Sequence, residues 1–210
     1  MKPYVITISR QFGSGGAYLG YRLAKRLGIY YIDREIISEM ARRLKLPEFG
    51  LSMVDEKPSV YWEVLMANGY IGTAGYSPPK LFIPTNINLF EAQSEIIKKM
   101  AEEKSCVMIG RGCSHILKDN PRHLSVLLHA GIPFRKKRVE DLYEVSGEKA
   151  LKLIKKYDGE RADYIRQVTG HDWLDANNYH LCFDTGRIGL DTAEEMIVNF
   201  VQDKFAVKKK

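Results

Sequence analysis

The sequence predicts an α/β sandwich: a parallel sheet of five strands in a three-layer arrangement, covered by helices on both faces. Three observations carry this. Short β-branched apolar runs alternate with amphipathic helical segments along the chain. The strand-like runs are apolar almost throughout, as strands covered on both faces are. A glycine-rich turn joins the first strand directly to the first helix. The chain has 210 residues, 45% of them hydrophobic and 28% charged, which suits one globular domain with a substantial core and argues against wholesale disorder.

The elements follow in order. Val5-Ile6-Thr7-Ile8 is a strand, ended by a polar, glycine-rich turn from Ser9 to Gly16. Leu19, Leu23 and Leu27 then recur every four residues with Arg22, Lys25 and Arg26 opposite, and Gly28 is the expected helix stop. Ile29 to Ile32 is a second strand, and Asp33 is placed to cap a helix buried through Ile36, Ile37, Met40 and Leu44. The stretch 46–88 holds five of the eight prolines, which marks an inserted subdomain or flap rather than sheet core. Asn88 and Glu91 have capping-box spacing ahead of a helix burying Ile96, Ile97 and Met100. Cys106 to Ile109 and Leu124 to Ala130 are the third and fourth strands. A long charged helical stretch runs from Pro133 to about Val168. Tyr179 to Phe183 is the fifth strand, before a helix capped by Asp191 and Glu194 and buried through Ala193, Met196, Ile197, Phe200 and Val201. The whole is one domain, 1–210, with an insert at 46–88 and a mobile helical region at 133–170.

Lys plus Arg exceed Asp plus Glu by 32 − 26 = 6, and the pI is about 9.1. That balance suits an acidic partner, although part of the excess is the terminal run Lys208-Lys209-Lys210. No apolar run approaches the roughly 18 residues of a membrane span, and Met1 to Tyr4 lead straight into a strand, so neither a membrane nor a signal peptide is expected. Three cysteines, Cys106, Cys113 and Cys182, form no C-x-x-C pair and no even disulfide set, which suits reduced cytoplasm. Cys113 reads as a small buried residue rather than a nucleophile. No two of His115, His123, His129, His171 and His180 are spaced i, i+4, and no metal site is expected; His129 and His180 read as packing residues.

The strongest chemical signal is Ile8-Ser9-Arg10-Gln11-Phe12-Gly13-Ser14-Gly15-Gly16-Ala17. A glycine loop opening a helix lets backbone N–H groups converge on an anion, helped by about half a positive charge at the helix N-terminus. Three versions of such a loop compete. A nucleophile elbow needs glycine two places either side of the serine, and Phe12 stands at one of these places around Ser14. A dinucleotide fingerprint gains from Gly13, Gly15 and from Asp33 twenty residues beyond Gly13, but its third glycine falls on Tyr18. A mononucleotide P-loop with Gly15 as its second glycine puts Arg10 at the first glycine, Gly16 at the lysine and Ala17 at the hydroxyl residue.

The segment ITISRQFGSGGAYLGYRLAKRLGIYYIDREII, together with CVMIGRG, LLHAGIPFRKKR, DGERADYIRQVTGHDW and NYHLCFDTG, resembles the cytidylate kinase-like family of P-loop kinases. The resemblance implies a five-stranded parallel sheet with a monophosphate-binding insert and an arginine-bearing lid. It implies transfer of the γ-phosphoryl group of ATP to a nucleoside monophosphate with Mg²⁺, and hence nucleotide substrates as partners. Carried over by residue, it implies Gly13, Ser14, Gly15, Gly16 and Ala17 around the ATP phosphates. Asp33 and Arg111 fall at the acceptor, where Arg34 stands in for the usual arginine, and Arg135, Arg138, Asp158 and Arg161 fall in the catalytic set, to which the chain's own turn adds Arg10.

The chain departs from that pattern at the P-loop lysine and the hydroxyl after it, replaced by Gly16 and Ala17, and Glu39 stands where an acceptor-site arginine is usual. Arg10 is the cationic residue of the turn and is positioned to reach back over the phosphates. A silent nucleotide-binding module and a dinucleotide-binding oxidoreductase remain alternatives. Nucleic acid is not expected, because the basic residues lack interleaved aromatics. A homo-oligomer is left open. Trp173 and Tyr179 are placed to pack the base of the lid against the sheet.

Overall fold

The computed structural model describes residues 2–33 and 87–205. The helix expected after Asp33, the insert as far as residue 86, Arg34 and the Lys tail lie outside the described residues. Strands β1 (Val5–Arg10), β2 (Tyr30–Ile32), β3 (Cys106–Ile109), β4 (His123–His129) and β5 (Leu181–Asp184) form one sheet in the order β2-β3-β1-β4-β5. Every pairing is parallel; β1 is central, with Val5 opposite Cys106 on one side and His123 on the other.

Helices α1 (Gly16–Leu27) and α7 (Leu190–Phe205) cover one face. Leu19, Leu23, Ile197 and Val201 meet Ile6, Ile8, Val107, Leu124, Val126 and Leu128 there, so each strand gives alternate residues to this core. On the other face α2 (Ile87–Glu103) buries Ile96, Ile97 and Met100 against Val5, Ile32, Cys106 and Met108. Gly28 ends α1 in the left-handed conformation, φ 66°, as its sequence position required.

Four expectations change in detail. Asn88 lies inside α2, not ahead of it, so it is no N-cap. The charged stretch after β4 is two helices, α4 (Ile132–Tyr143) and α5 (Gly147–Thr169). Glu144 turns left-handed at φ 51°, and the Ser146 hydroxyl accepts from the Lys149 N–H to start the second helix. Asp191 lies in the first turn of α7, and Met196 is 49% exposed. Glu194 takes the buried place instead, drawn in by the Arg22 Nε at 2.6 Å and the Arg26 guanidinium at 3.5 Å. Finally, Tyr179 and His180 precede β5 rather than belonging to it.

Two short helices complete the chain: α3 (Cys113–Ile116) after β3 and α6 (Thr185–Ile188) after β5. Among the described residues no helix is long and apolar enough to cross a membrane.

Candidate active site

Parallel strands that end together leave their carboxyl edge open for a ligand. Here that edge carries the loop 11–15 after β1, the turn 110–112 after β3 and Ala130-Gly131 after β4. The loop is fastened from beneath. The Gln11 N–H donates to the Leu128 carbonyl at 2.9 Å, and Gln11 Oε1 accepts from the Ala130 N–H at 3.1 Å. Thr185 Oγ1, fully buried, donates to the Ser14 carbonyl at 2.8 Å.

Gly13 and Gly15 are left-handed, φ 82° and 91°. A Cβ on Gly13 would meet the Arg135 carbonyl at 2.8 Å, and one on Gly15 the Leu190 side chain at 2.7 Å. Gly15 is the N-cap of α1, so the N–H groups of Gly16 and Ala17 have no carbonyl to bond within the helix. This is the geometry that binds phosphate oxygens. Ser14 belongs to the expected phosphate set, and its polar groups are engaged within the loop. Its hydroxyl is fully buried and donates to the Gln11 carbonyl at 2.9 Å, with the Leu128 carbonyl at 3.2 Å, and its N–H also goes to Gln11. It braces the loop.

Arg10 ends β1 with its stem laid across Gly16. A Cβ there would stand 2.7 Å from both Cβ and Cγ of Arg10. Its guanidinium reaches Gly110, so a Cβ at Gly110 would collide with Nη1. The Arg10 side chain therefore spans from the start of α1 to the turn after β3.

In that turn Gly110, Arg111 and Gly112 are all left-handed, with φ of 75°, 56° and 68°. For an arginine this conformation costs energy, and such residues cluster at functional sites. Arg111 is only 8% exposed and lies beside Tyr164 of α5. Burial raises the Tyr164 phenol above its ordinary range while the Arg111 charge pulls it back. Asp33 follows Ile32, which pairs with Met108, so the half-buried Asp33 stands level with the end of β3. Burial pushes the Cys113 thiol up to about 12, which leaves it protonated and unreactive at neutral pH.

Four lid residues were expected in the catalytic set, and they divide. Arg135, 5% exposed, donates through Nε to the Ala130 carbonyl at 2.8 Å and through Nη1 to the Phe12 carbonyl at 3.2 Å, and it ion-pairs with Asp158. Asp158 also accepts from the Phe12 N–H at 2.7 Å. These polar contacts are to the loop backbone and to each other, so both residues position the loop. Arg161 Nη1 donates to the Arg10 carbonyl at 3.3 Å, lies 3.6 Å from Asp158, and its guanidinium sits 5.6 Å from the Phe12 ring. The Arg138 guanidinium sits 5.9 Å from the Phe134 ring. The structure thus gathers Arg10, Arg111 and Arg161 near the glycine loop.

Sequence reasoning missed Phe12, Gln11 and Thr185. Phe12 plugs the lid, packed with Val139, Ala150, Ile154 and Tyr157, its ring 4.8 Å from Tyr157 and 5.5 Å from Tyr143. The available signal was one large apolar residue in a loop of small ones.

A sheet in this order with a glycine loop between β1 and α1 is the architecture of P-loop kinases. The model of the cytidylate kinase-like family matches residues 5–187, and the chain belongs to that family. The chain is similar to an uncharacterized protein from Eubacterium ventriosum at 25% identity, covering 95% of this chain and 99% of that one, with TM-score 0.72. It shares its fold with a gluconokinase from Sinorhizobium meliloti (13% identity, 97% of each chain, TM-score 0.52). The same holds for shikimate kinase from Bacteroides thetaiotaomicron (12% identity, 95% and 98% covered, TM-score 0.50). No curated protein matches the chain. Family and fold together support nucleotide-dependent phosphoryl transfer as the general class of activity.

Proposed function

We propose that the protein transfers the γ-phosphoryl group of ATP to a small phosphate-bearing acceptor, with a nucleoside monophosphate as the first candidate. The observation that carries this reading is the course of Arg10 from Gly16 to Gly110. It bridges a backbone phosphate cradle and the strained Arg111 turn, where the transferring group would sit. ATP phosphates would bind the N–H groups of Gly13 and Gly15 to Ala17. The acceptor phosphate would rest on Arg111, with Asp33 beside it; Arg34, the other residue proposed for the acceptor, lies outside the described residues. An acceptor oxygen would attack the γ-phosphorus while its bond to the β-phosphate oxygen breaks, releasing ADP. An ionised acceptor phosphate has no proton to remove, so fixed cations and N–H groups supply the stabilisation. Arg10 and Arg161 are the residues placed to do this, and Arg138 would join only if the lid closes.

Among the described residues magnesium finds no dedicated protein cage. The P-loop hydroxyl position is Ala17, and among the described residues no group of three His, Cys, Asp or Glu side chains is placed to hold a metal. Any magnesium would be ligated by the nucleotide and water, and no step is assigned to it. The absent lysine and hydroxyl also favour a second reading, a module that binds ATP without turnover. Coupled phosphotransfer with ATP and CMP, dCMP, UMP or AMP decides between them. Turnover of one acceptor supports the kinase; saturable ATP binding with no turnover of any supports the silent module.

A further inference from the structure

The sheet face opposite α1 breaks the apolar rule of buried parallel strands. On the α1 side, β1 and β4 present Tyr4, Ile6, Ile8, Leu124, Val126 and Leu128. On the other side they present Thr7, Ser9, His123 and Ser125, and a cavity of about 320 Å³ opens over Ser9, His123 and Ser125. Its walls are α3, through Ser114 and His115, the end of α5, through Thr169, and the segment from His171 to His180. The volume lies at the small end of ligand pockets. Four of the five histidines of the chain line it.

The chemistry of the lining selects a class of ligand. Burial and the neighbouring His180 push the His123 imidazole down to about 4. Burial, Lys118 and His171 lower that of His115. These two rings are uncharged at neutral pH, and an uncharged imidazole carries one donor and one acceptor; His123 spends Nε2 on the Thr7 hydroxyl at 2.7 Å. The hydroxyls of Ser9, Ser114 and Ser125 combine the same two roles, Ser9 lying 3.3 Å from Ser114 and Ser125 pairing with His180, and the lining carries one lysine, Lys118, and one aspartate, Asp172. An anion calls for donors and positive charge, and a cation for carboxylates. Alcohol groups call for paired donors and acceptors. We propose that this cavity is a binding site for a small, uncharged, polyhydroxylated molecule of single-ring size. Its wall at Ile165 and Thr169 continues the helix whose Asp158 and Arg161 hold the glycine loop, so occupancy braces the lid from its far end.

The test is a titration of the full chain, labelled with ¹⁵N-histidine, with D-ribose, D-glucose, myo-inositol and inorganic phosphate. At least one polyol should shift the imidazole signals of His115 and His171 saturably. His171→Ala, at an exposed position, should weaken that binding at least tenfold, and Ser114→Leu should abolish it. Arg10→Ala should leave it unchanged, which separates this site from the glycine loop whatever the protein's activity. The proposal is overturned by no saturable shift with any polyol, by preferential binding of phosphate, by loss of polyol binding in Arg10→Ala, or by wild-type binding in both cavity variants. A cooperative melt of each variant establishes that it is folded; if Ser114→Leu is not, His171→Ala alone decides.

Discussion

Arg10 and Gly16 behave as two residues that have exchanged places. A P-loop carries glycine where this chain has Arg10 and lysine where it has Gly16, and the arginine stem occupies the space a side chain at 16 would need. Gly16→Lys should therefore destabilise the fold by about 1–3 kcal/mol, the usual cost of overpacking. The double variant Arg10→Gly/Gly16→Lys should recover much of that loss. Urea unfolding of the two single variants and the double variant measures the coupling, and additive effects would contradict the exchange. Gly13 and Gly15 are poorer probes, because their positive φ and close neighbours make any substitution a test of the fold as well as of the site. A second prediction concerns His123. Unfolded, it titrates near 6.5; folded, it is held to about 4. The unfolded chain thus takes up the proton first, so this contribution is complete above pH 6.5 and is lost as pH falls towards 4. The loss is about 3 kcal/mol at most. Urea unfolding at pH 7 and 4.5 should show a smaller loss in His123→Gln than in wild type; equal losses would contradict the assignment.

At the scale of elements, the lid is locked to the loop through few groups. Asp158 holds the Phe12 N–H, Arg135 and Arg161, and Phe12 fills the cleft between α4 and α5. Asp158→Asn leaves Arg135 charged and buried, a change that typically costs about 3–5 kcal/mol, with the lower end expected because Asp158 is partly exposed. Amide exchange in α5 should rise in this variant while β1 and β4 stay protected; uniform loss of protection would mean the pair supports the whole fold. The elements themselves were legible, because strand periodicity and the spacing of Leu19, Leu23, Ile96, Ile97 and Met100 report burial directly. Side-chain roles at the site were less so. Ser14 and Arg135 have the residue types and positions of phosphate ligands, yet their partners, Leu128, Ala130 and Phe12, are fixed only by tertiary packing. Met196 and Glu194 failed for a similar reason: the arginines of α1 that draw Glu194 inward lie more than 160 residues away.

The molecule as a whole places a glycine loop, a strained arginine turn and an arginine-bearing helix at one edge of its sheet. Phosphoryl transfer requires water to be kept from that edge once both substrates are bound. Hydrogen exchange over residues 132–169 should therefore slow when ATP and an accepted monophosphate are added together, more than with either alone. Unchanged protection would count against a closing lid. The strong strand and helix patterns made the α/β architecture legible from the start, whereas the polar cavity on the second face was not, since Thr7, Ser9 and Ser125 meet His180 and Ser114 only in the folded sheet. In this proposal Arg10 supplies the cation that the P-loop lysine gives elsewhere. Its most direct test is the ATP dissociation constant of wild type and Arg10→Ala, measured by calorimetry on folded protein. Loss of a charge-assisted contact to phosphate predicts weakening by about 1.5–3 kcal/mol, roughly tenfold to over a hundredfold, with Arg10→Lys recovering part of it. Equal affinity in wild type and Arg10→Ala would contradict the account.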